Sequence, residues 1–204
     1  MKSVAAVAAA AALAVFTPAG PASAVTPGQP APAFKLSDTN CKTVSLADFK
    51  GRYVVLEWNN PSCPFVMKHY NSQNMQALQK SQPADKVAWL AINSTNAGHA
   101  EYLPPEKLAA WFRQQDAAPT AILMDSRSEV ARAFDARATP QMIIVDPAGK
   151  VIYNGAIDDK RSANPADVKT SRNYVAAALN DALGGMPVAT ASTTPYGCTI
   201  KYPD

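Results

Sequence analysis

The sequence predicts a single-domain α/β fold in which a mixed β-sheet, parallel in its centre, is covered by helices. Two continuous runs of apolar and β-branched residues, 53–59 and 86–93, are typical of strands buried on both faces. Segments with helical periodicity follow both runs, as in a sheet whose central strands are parallel. A Pro- and Gly-containing turn at 146–150 joins two later strands into an antiparallel hairpin.

The remaining elements follow from local patterns along the chain. Pro64 suits the first position of a helix, where its missing N–H group would be unpaired in any case. Leu108, Trp111 and Phe112 have the spacing of one helix face. In chain order, the patterns predict extended segments and a helical turn at 33–36 and 42–51, a strand at 53–59, a helix at 64–82, a strand at 86–93, a helix at 106–114, a strand at 121–125, a short helix with Val130 and Phe134 on one face, strands at 141–146 and 151–157, and a helix at 175–183 that ends at Gly184-Gly185.

Residues 1–24 are predicted to be a secretory signal peptide. Lys2 precedes an apolar run over 4–16, and Ala22-Ser23-Ala24 offers the small residues of a cleavage site. The apolar run is shorter than the ~20 residues that a membrane-spanning helix needs. We therefore expect an exported protein, periplasmic or secreted, with about 180 residues after cleavage and no membrane span.

Composition narrows the possible partners and the redox chemistry. The net charge is +3, and no basic run is interleaved with aromatic residues, so nucleic acid is not an expected partner. The chain has three cysteines, Cys41, Cys63 and Cys198. An odd number in an oxidising compartment leaves at least one thiol free, reactive or intermittently paired.

Cys63 is the candidate reactive residue. It lies just beyond strand 53–59 and directly before Pro64, and ligands of open α/β sheets bind beyond the carboxyl ends of the strands. Backbone N–H groups at a helix N-terminus favour a thiolate there. Lys68 and His69 follow on the same helix and are expected to point elsewhere. The alternative is an inert cysteine packed as a small apolar residue.

Three separated segments resemble one family. They read YVVLEWNNPSCPFVMKHY (53–70), ATPQMIIVDPAGKVIYNGAIDD (138–159) and GCTIKY (197–202). Together they are similar to the AhpC/TSA-like redoxin branch of the thioredoxin superfamily, whose site reads C-x-x-C-P-[YF]-V-x-K. The resemblance implies a thioredoxin fold over 25–186, followed by a tail over 187–204 that carries Cys198. It also implies that Cys63 is the active-site cysteine and that Thr139-Pro140 is the cis-proline loop beside it.

The chain departs from the family pattern at the first cysteine, where Asn60 stands. A dithiol carrier with two adjacent cysteines is therefore excluded. The peroxiredoxin signature P-x-x-x-[TS]-x-x-C is also absent, because Leu56 and Asn60 occupy its first two defined positions. Arg137 is interpreted as a surface cation rather than as a peroxidase arginine. Asn59, Asn60 and Ser62 are either hydrogen-bond donors to the sulfur or ordinary loop residues.

Cys198 has two possible roles. It is either a resolving thiol that condenses with a sulfenic acid on Cys63, or one half of a static disulfide with Cys63 or Cys41. Cys41 lies in a turn and is not expected to be catalytic.

The sequence thus predicts a thiol oxidoreductase whose Cys63 attacks a peroxide or a disulfide and which needs an external thiol electron donor. No cofactor is expected. No metal is expected either, because Cys63, His69 and His99 lack zinc-ligand spacing. Asp158-Asp159 are interpreted as caps of the following segment. The alternative function is a non-catalytic binding module that holds peptides or a partner protein beside Pro140.

Overall fold

A computed structural model of the chain describes residues 25–203. The predicted signal peptide, residues 1–24, lies outside the described residues. The main sheet has seven strands in the order β2-β1-β5-β4-β3-β7-β8, and a separate two-stranded sheet pairs β6 with β9. The strands are β1 Lys35–Asp38, β2 Thr43–Ser45, β3 Tyr53–Trp58, β4 Val87–Asn93, β5 Ala121–Met124, β6 Ala138–Thr139, β7 Gln141–Val145, β8 Val151–Gly155 and β9 Cys198–Thr199.

Five α-helices and two short 3-10 helices complete the described chain. They are α1 Pro64–Asn71, α2 Asn74–Ser81, α3 Pro105–Gln114, α4 Glu129–Ala133 and α5 Tyr174–Leu183, with 3-10 turns at Leu46–Phe49 and Pro165–Thr170. None of them has the length and apolar character that crossing a membrane requires.

The central strands are parallel and the outer pairings are antiparallel, which confirms the predicted mixed sheet. β4 runs parallel to both β3 and β5, whereas β7 pairs antiparallel with β3 and β8. Since side chains alternate along a strand, β3 supplies both faces of the sheet with apolar residues. Val55 packs in one core cluster, while Leu56 and Trp58 pack in the other.

The two core clusters differ in the helices that cover them. α1, α2, α3 and α5 bury apolar side chains in the cluster that also contains Cys63. α4 and the N-terminal residues around Phe34 bury theirs on the opposite face. Cys63 therefore lies on the more heavily covered face, at the carboxyl end of β3.

The predicted helix over 64–82 is wrong in one respect, because it is broken into α1 and α2. Gln73 adopts a left-handed backbone conformation with φ 60°, which ends the first helix. The carbonyl oxygen of Tyr70 still accepts a backbone hydrogen bond from the N–H of Gln73 at 3.1 Å, and it accepts a second from the side chain of Gln76 at 3.0 Å. The carbonyl group at the end of α1 is thus satisfied despite the break.

Candidate functional site

Cys63 lies at the N-terminus of α1 and is almost fully buried. It is the residue directly before the helix, and Pro64 occupies the first turn, as predicted. Only 1% of Cys63 is exposed, and its Sγ donates a hydrogen bond to the carbonyl oxygen of Thr139 at 3.0 Å. The Thr139–Pro140 peptide bond is cis, as the resemblance implied. The structure therefore brings Cys63, Thr139 and Pro140 together.

Cys198 reaches the same place from the C-terminal segment. It lies in β9, which pairs antiparallel with β6 so that Cys198 is opposite Thr139. All three cysteines of the chain are free thiols, and Cys198 packs against the core cluster that contains Cys63. Burial, together with a hydrogen bond to the Cys63 thiol and the charge of that group, raises the pKa of Cys198 to about 12. Cys63 and Cys198 therefore both lie against Thr139, whereas Cys41 is exposed in the turn between β1 and β2.

Gly197 makes this close approach possible. A Cβ atom at this position would lie 2.7 Å from the carbonyl carbon of Thr139 and 3.3 Å from the nitrogen of Pro140. Its φ of 141° is also one that residues with a side chain rarely adopt. The tail can therefore pass directly over the Thr139–Pro140 loop only because residue 197 has no side chain.

Asn60 and Asn59 direct their amide groups toward carboxylates rather than toward the sulfur. Asn60 Nδ2 donates to Glu101 at 2.6 Å, and Asn59 Nδ2 donates to Glu57 at 2.9 Å. Asn60 also accepts a hydrogen bond from the backbone N–H of Ser62 at 2.9 Å. Neither amide donates to Cys63 in the described structure, so the interpretation of these side chains as sulfur donors is not supported.

Lys68 and His69 point away from Cys63, as expected, but they enter a buried cluster that the sequence did not reveal. Lys68 Nζ donates to Asp158 at 2.9 Å, to the carbonyl oxygen of Lys160 at 2.6 Å, and to the Tyr196 hydroxyl at 3.1 Å. Tyr196 in turn donates to Asp158. His69 Nε2 lies 3.9 Å from Asp158, and burial lowers the pKa of His69 to about 4.

The interpretation of Asp158 as a cap is therefore incomplete. Its Oδ1 does accept a hydrogen bond from the backbone N–H of Lys160 at 3.1 Å, as a capping residue would. Its carboxylate is nevertheless only 1% exposed and is held by an ion pair with Lys68. Spacing alone gave no signal for this pair, because Lys68 and Asp158 are far apart in the sequence.

A second buried carboxylate, Glu57 on β3, was also missed. Four side chains donate hydrogen bonds to it: Asn59, Tyr70, Gln79 and Trp89. Burial raises the pKa of Glu57 despite these donors. The continuous apolar run around it in β3 concealed this polar position within the core.

Arg137 is an exposed side chain that pairs with Asp135 at 2.7 Å, in agreement with its interpretation as a surface cation.

Within residues 25–203, no group of three or more His, Cys, Asp or Glu side chains is arranged to hold a metal ion. The reactive groups that the structure does bring to this site are the thiols of Cys63 and Cys198.

Comparisons with known proteins agree with this arrangement. The family model described as the AhpC/TSA family matches residues 27–154. The thiol-disulfide oxidoreductase ResA of Bacillus subtilis is 30% identical over 138 residues, which cover 63% of this chain and 66% of ResA. A Mycobacterium tuberculosis protein named "putative peroxiredoxin" is 28% identical over 144 residues, covering 63% of this chain and 83% of that protein.

Solved structures give the same fold. An uncharacterized conserved protein from Geobacillus kaustophilus superposes with a TM-score of 0.75 at 28% identity, covering 93% of this chain and 98% of that one. The thioredoxin domain of a thiol-disulfide oxidoreductase from Bacteroides vulgatus superposes with a TM-score of 0.53 at 18% identity, covering 72% and 98% of the two chains. The chain thus has a thioredoxin fold.

Proposed function

The chain belongs to the AhpC/TSA family, and we propose that it is an exported thiol oxidoreductase in which Cys63 attacks the substrate and Cys198 resolves the product. The observation that carries this proposal is the meeting of two free thiols at Thr139, which pairs with Cys198 in the β6–β9 sheet and whose carbonyl oxygen accepts a hydrogen bond from Cys63. Relatives of the chain are named as a thiol-disulfide oxidoreductase and as a putative peroxiredoxin. Disulfides and peroxides are therefore the two candidate substrate classes.

With a peroxide, the Cys63 thiolate attacks one peroxide oxygen and forms a sulfur–oxygen bond as the oxygen–oxygen bond breaks. The leaving oxygen takes a proton and departs as water or an alcohol, and Cys63 is oxidised to a sulfenic acid. Cys198 then loses its proton and attacks the Cys63 sulfur. A disulfide forms, the sulfur–oxygen bond breaks, and the hydroxide leaves as water. An external thiol reduces the disulfide and completes the cycle.

With a disulfide substrate, the Cys63 thiolate attacks one substrate sulfur and expels the other as a thiolate, which leaves a mixed disulfide. Cys198 attacks the Cys63 sulfur and releases the second substrate thiolate. The substrate gains two electrons, and Cys63 and Cys198 lose them. The same Cys63–Cys198 disulfide ends both reactions.

The surroundings of the two thiols support this order of events. Cys63 lies at a helix N-terminus, where the backbone N–H groups and the helix dipole favour an anion. Cys198 is held as a thiol by burial and by Cys63 itself. Oxidation of Cys63 to an uncharged species removes the electrostatic part of that effect. Cys198 therefore becomes easier to deprotonate once Cys63 has reacted.

The N-terminal sequence supports export, because residues 1–24 have the composition of a cleavable signal peptide. In an oxidising compartment, the proposed cycle requires a dedicated thiol donor to keep the two cysteines reduced. An external dithiol protein fits this requirement.

The proposal is tested by intact-mass spectrometry of the reduced protein after one equivalent of hydrogen peroxide or of oxidised glutathione. We expect rapid loss of two hydrogens that requires both cysteines, and no such change in Cys63→Ser. Cys198→Ser should accumulate a sulfenic acid or a glutathione adduct on Cys63. Cys41→Ser is the matched control and should behave like the unmodified protein. Oxidation no faster than that of free cysteine would refute the enzymatic proposal.

One observation favours the alternative function. β6 already holds an extended segment, β9, by backbone hydrogen bonds beside Pro140, which is how a sheet edge binds a peptide. A binding module of this kind predicts peptide affinity that is unchanged in Cys63→Ser. The mass experiment and a peptide-binding titration on the same variants separate the two functions.

A further inference from the structure

A buried polar cluster connects the helix that begins at Cys63 with the segment that carries Cys198. Its members are Lys68 on α1, Asp158 after β8, and Tyr196 in the C-terminal segment. Lys68 and Asp158 are each 1% exposed, and Tyr196 is 5% exposed. The Tyr196 hydroxyl donates to Asp158 and accepts from Lys68 at 3.1 Å. None of these hydrogen bonds involves the sulfur of Cys63 or Cys198.

The hydrogen-bonding capacity of the cluster is well used. The three N–H groups of Lys68 match its three acceptors: the Asp158 carboxylate, the Lys160 carbonyl and the Tyr196 hydroxyl. A buried ion pair contributes little net stability compared with apolar side chains of the same volume. Its directional bonds do, however, fix the position of whatever they hold. Here they hold the tail through Tyr196.

Tyr196 is also the nearest anchored side chain before Cys198. Only Gly197 separates the two, and Gly197 has no side chain of its own. The Tyr196 ring packs edge-on against Phe65 on α1, with centroids 5.8 Å apart. Both the hydroxyl and the ring of Tyr196 therefore contact side chains of α1, the hydroxyl through Lys68 and the ring through Phe65. The same short helix places the Cys63 sulfur at its N-terminus.

We propose that Tyr196 is a positioning residue that, through Asp158 and Lys68, holds the C-terminal segment in register so that Cys198 faces Cys63. This inference rests on the proposed function for its biological meaning, because Cys198 is the resolving thiol there. Fixing the tail and the Cys63 helix to one buried carboxylate gives the two sulfurs a high effective concentration. It also keeps the tail over Cys63, which is only 1% exposed.

The test compares Tyr196→Phe with Tyr202→Phe. Tyr196→Phe keeps the ring that packs on Phe65 and removes only the hydroxyl. Tyr202 also lies in the tail, and its hydroxyl donates to the carbonyl oxygen of Ala136 outside the cluster. Tyr202→Phe therefore controls for the loss of one tail hydrogen bond.

Two readouts are used. The first is the equilibrium between the Cys63–Cys198 dithiol and glutathione, which gives the effective concentration of the two thiols whether or not the chain is an enzyme. We expect Tyr196→Phe to lower it by about tenfold or more, the size of effect known for hydrogen bonds to charged groups. The second is alkylation of Cys63 by iodoacetamide in the reduced protein, which should become faster as the tail is released. Tyr202→Phe should change neither by more than about twofold.

The outcomes separate this inference from the proposed function. An unchanged effective concentration in Tyr196→Phe overturns the positioning role even if the protein reduces peroxides. An equal loss in Tyr202→Phe also overturns it, because any tail contact would then serve. A tenfold loss confined to Tyr196→Phe supports the positioning role even if neither substrate class reacts rapidly with Cys63.

Discussion

Replacing Gly197 with Ala should separate the two cysteines without touching either one. The new Cβ would lie 2.7 Å from the carbonyl carbon of Thr139, whereas carbon atoms in contact are about 3.5–4.0 Å apart. The atoms that the new Cβ would meet belong to the backbone of Thr139 and Pro140, which cannot rotate away as a side chain could. The tail itself would therefore have to move by about 1 Å to remove the clash. The φ of 141° adds conformational strain to this clash.

A displacement of that size is large compared with the tolerance of the contacts around it. The backbone N–H of Ile200 donates to the carbonyl oxygen of Arg137 at 3.3 Å, close to the limit of a hydrogen bond. We therefore expect loss of the β6–β9 pairing and a free energy of unfolding lower by about 1–3 kcal/mol, as for other overpacked sites. A misplacement of ~1 Å between reacting groups can slow a reaction about 100-fold. Closure of the Cys63–Cys198 disulfide should slow on that scale.

The assay is quenched-flow mass spectrometry of disulfide closure after a peroxide pulse, with the unfolding free energy measured by urea titration. Gly185→Ala is the matched control, because Gly185 also has a positive φ, 73°, but a Cβ there meets open space. Gly185→Ala should cost stability while leaving disulfide closure unchanged. If Gly197→Ala closes the disulfide as fast as the unmodified protein, close packing on Thr139 does not position Cys198, and the reasoning is refuted.

Three further predictions concern groups around the site. Burial is the largest cause of the raised pKa of Cys198 and persists after Cys63 is oxidised, so disulfide closure should accelerate roughly tenfold per pH unit from pH 7 to 9 in the same assay; a plateau below pH 8 would contradict this. Burial lowers the pKa of His69 from 6.5 to about 4, so the unfolded chain binds this proton more readily. Protonation of His69 therefore does not affect the free energy of unfolding above pH 6.5, but it lowers this free energy by at most about 3 kcal/mol as the pH falls toward 4. Urea titrations should show this loss in the unmodified protein and not in His69→Gln; parallel pH profiles would disprove it. Glu57→Gln should lower the unfolding free energy by about 1–3 kcal/mol, since an amide N–H in place of the oxygen that accepts from Trp89 would face an indole N–H, which can only donate; unchanged stability would show that the network rearranges.

The sheet was predicted well from the sequence because local residue patterns indicate which strands are buried and where the chain reverses direction. The strands at 53–59 and 86–93 were recognisable from uninterrupted apolar residues, and the hairpin at 146–150 from its turn residues. The break at Gln73 was not predictable, because glutamine has no intrinsic preference for a left-handed backbone and the surrounding apolar spacing continues through it. The side chain of Gln76, just after the break, donates to the carbonyl oxygen of Gln115, which lies beyond β4 in the sequence, a tertiary contact that no local pattern reveals.

The candidate site was predictable only in part, for the same reason. Cys63 and the Thr139–Pro140 loop were found from position and resemblance. β9 was not found, because a two-residue strand has no periodicity and its pairing with β6 depends on Gly197. Lys68 falls on the lysine of the family motif, but its local composition did not show that it is buried with Asp158, whereas Lys80 on the next helix pairs with Asp116 at the exposed surface.

The replacement of the first cysteine by Asn60 changes how the second sulfur can be supplied. In a C-x-x-C site, one helical turn fixes the distance between the sulfurs. Here the partner of Cys63 comes from over ~100 residues away, and closing a loop of that length costs about 4–5 kcal/mol of chain entropy in the unfolded state. This loss of chain entropy is part of the free energy of folding. In the folded protein, docking of the tail keeps Cys198 in place. The proximity of the pair therefore depends on the contacts of residues 196–199, and any partner that opens this segment would expose Cys63 and move Cys198 away from it in a single step.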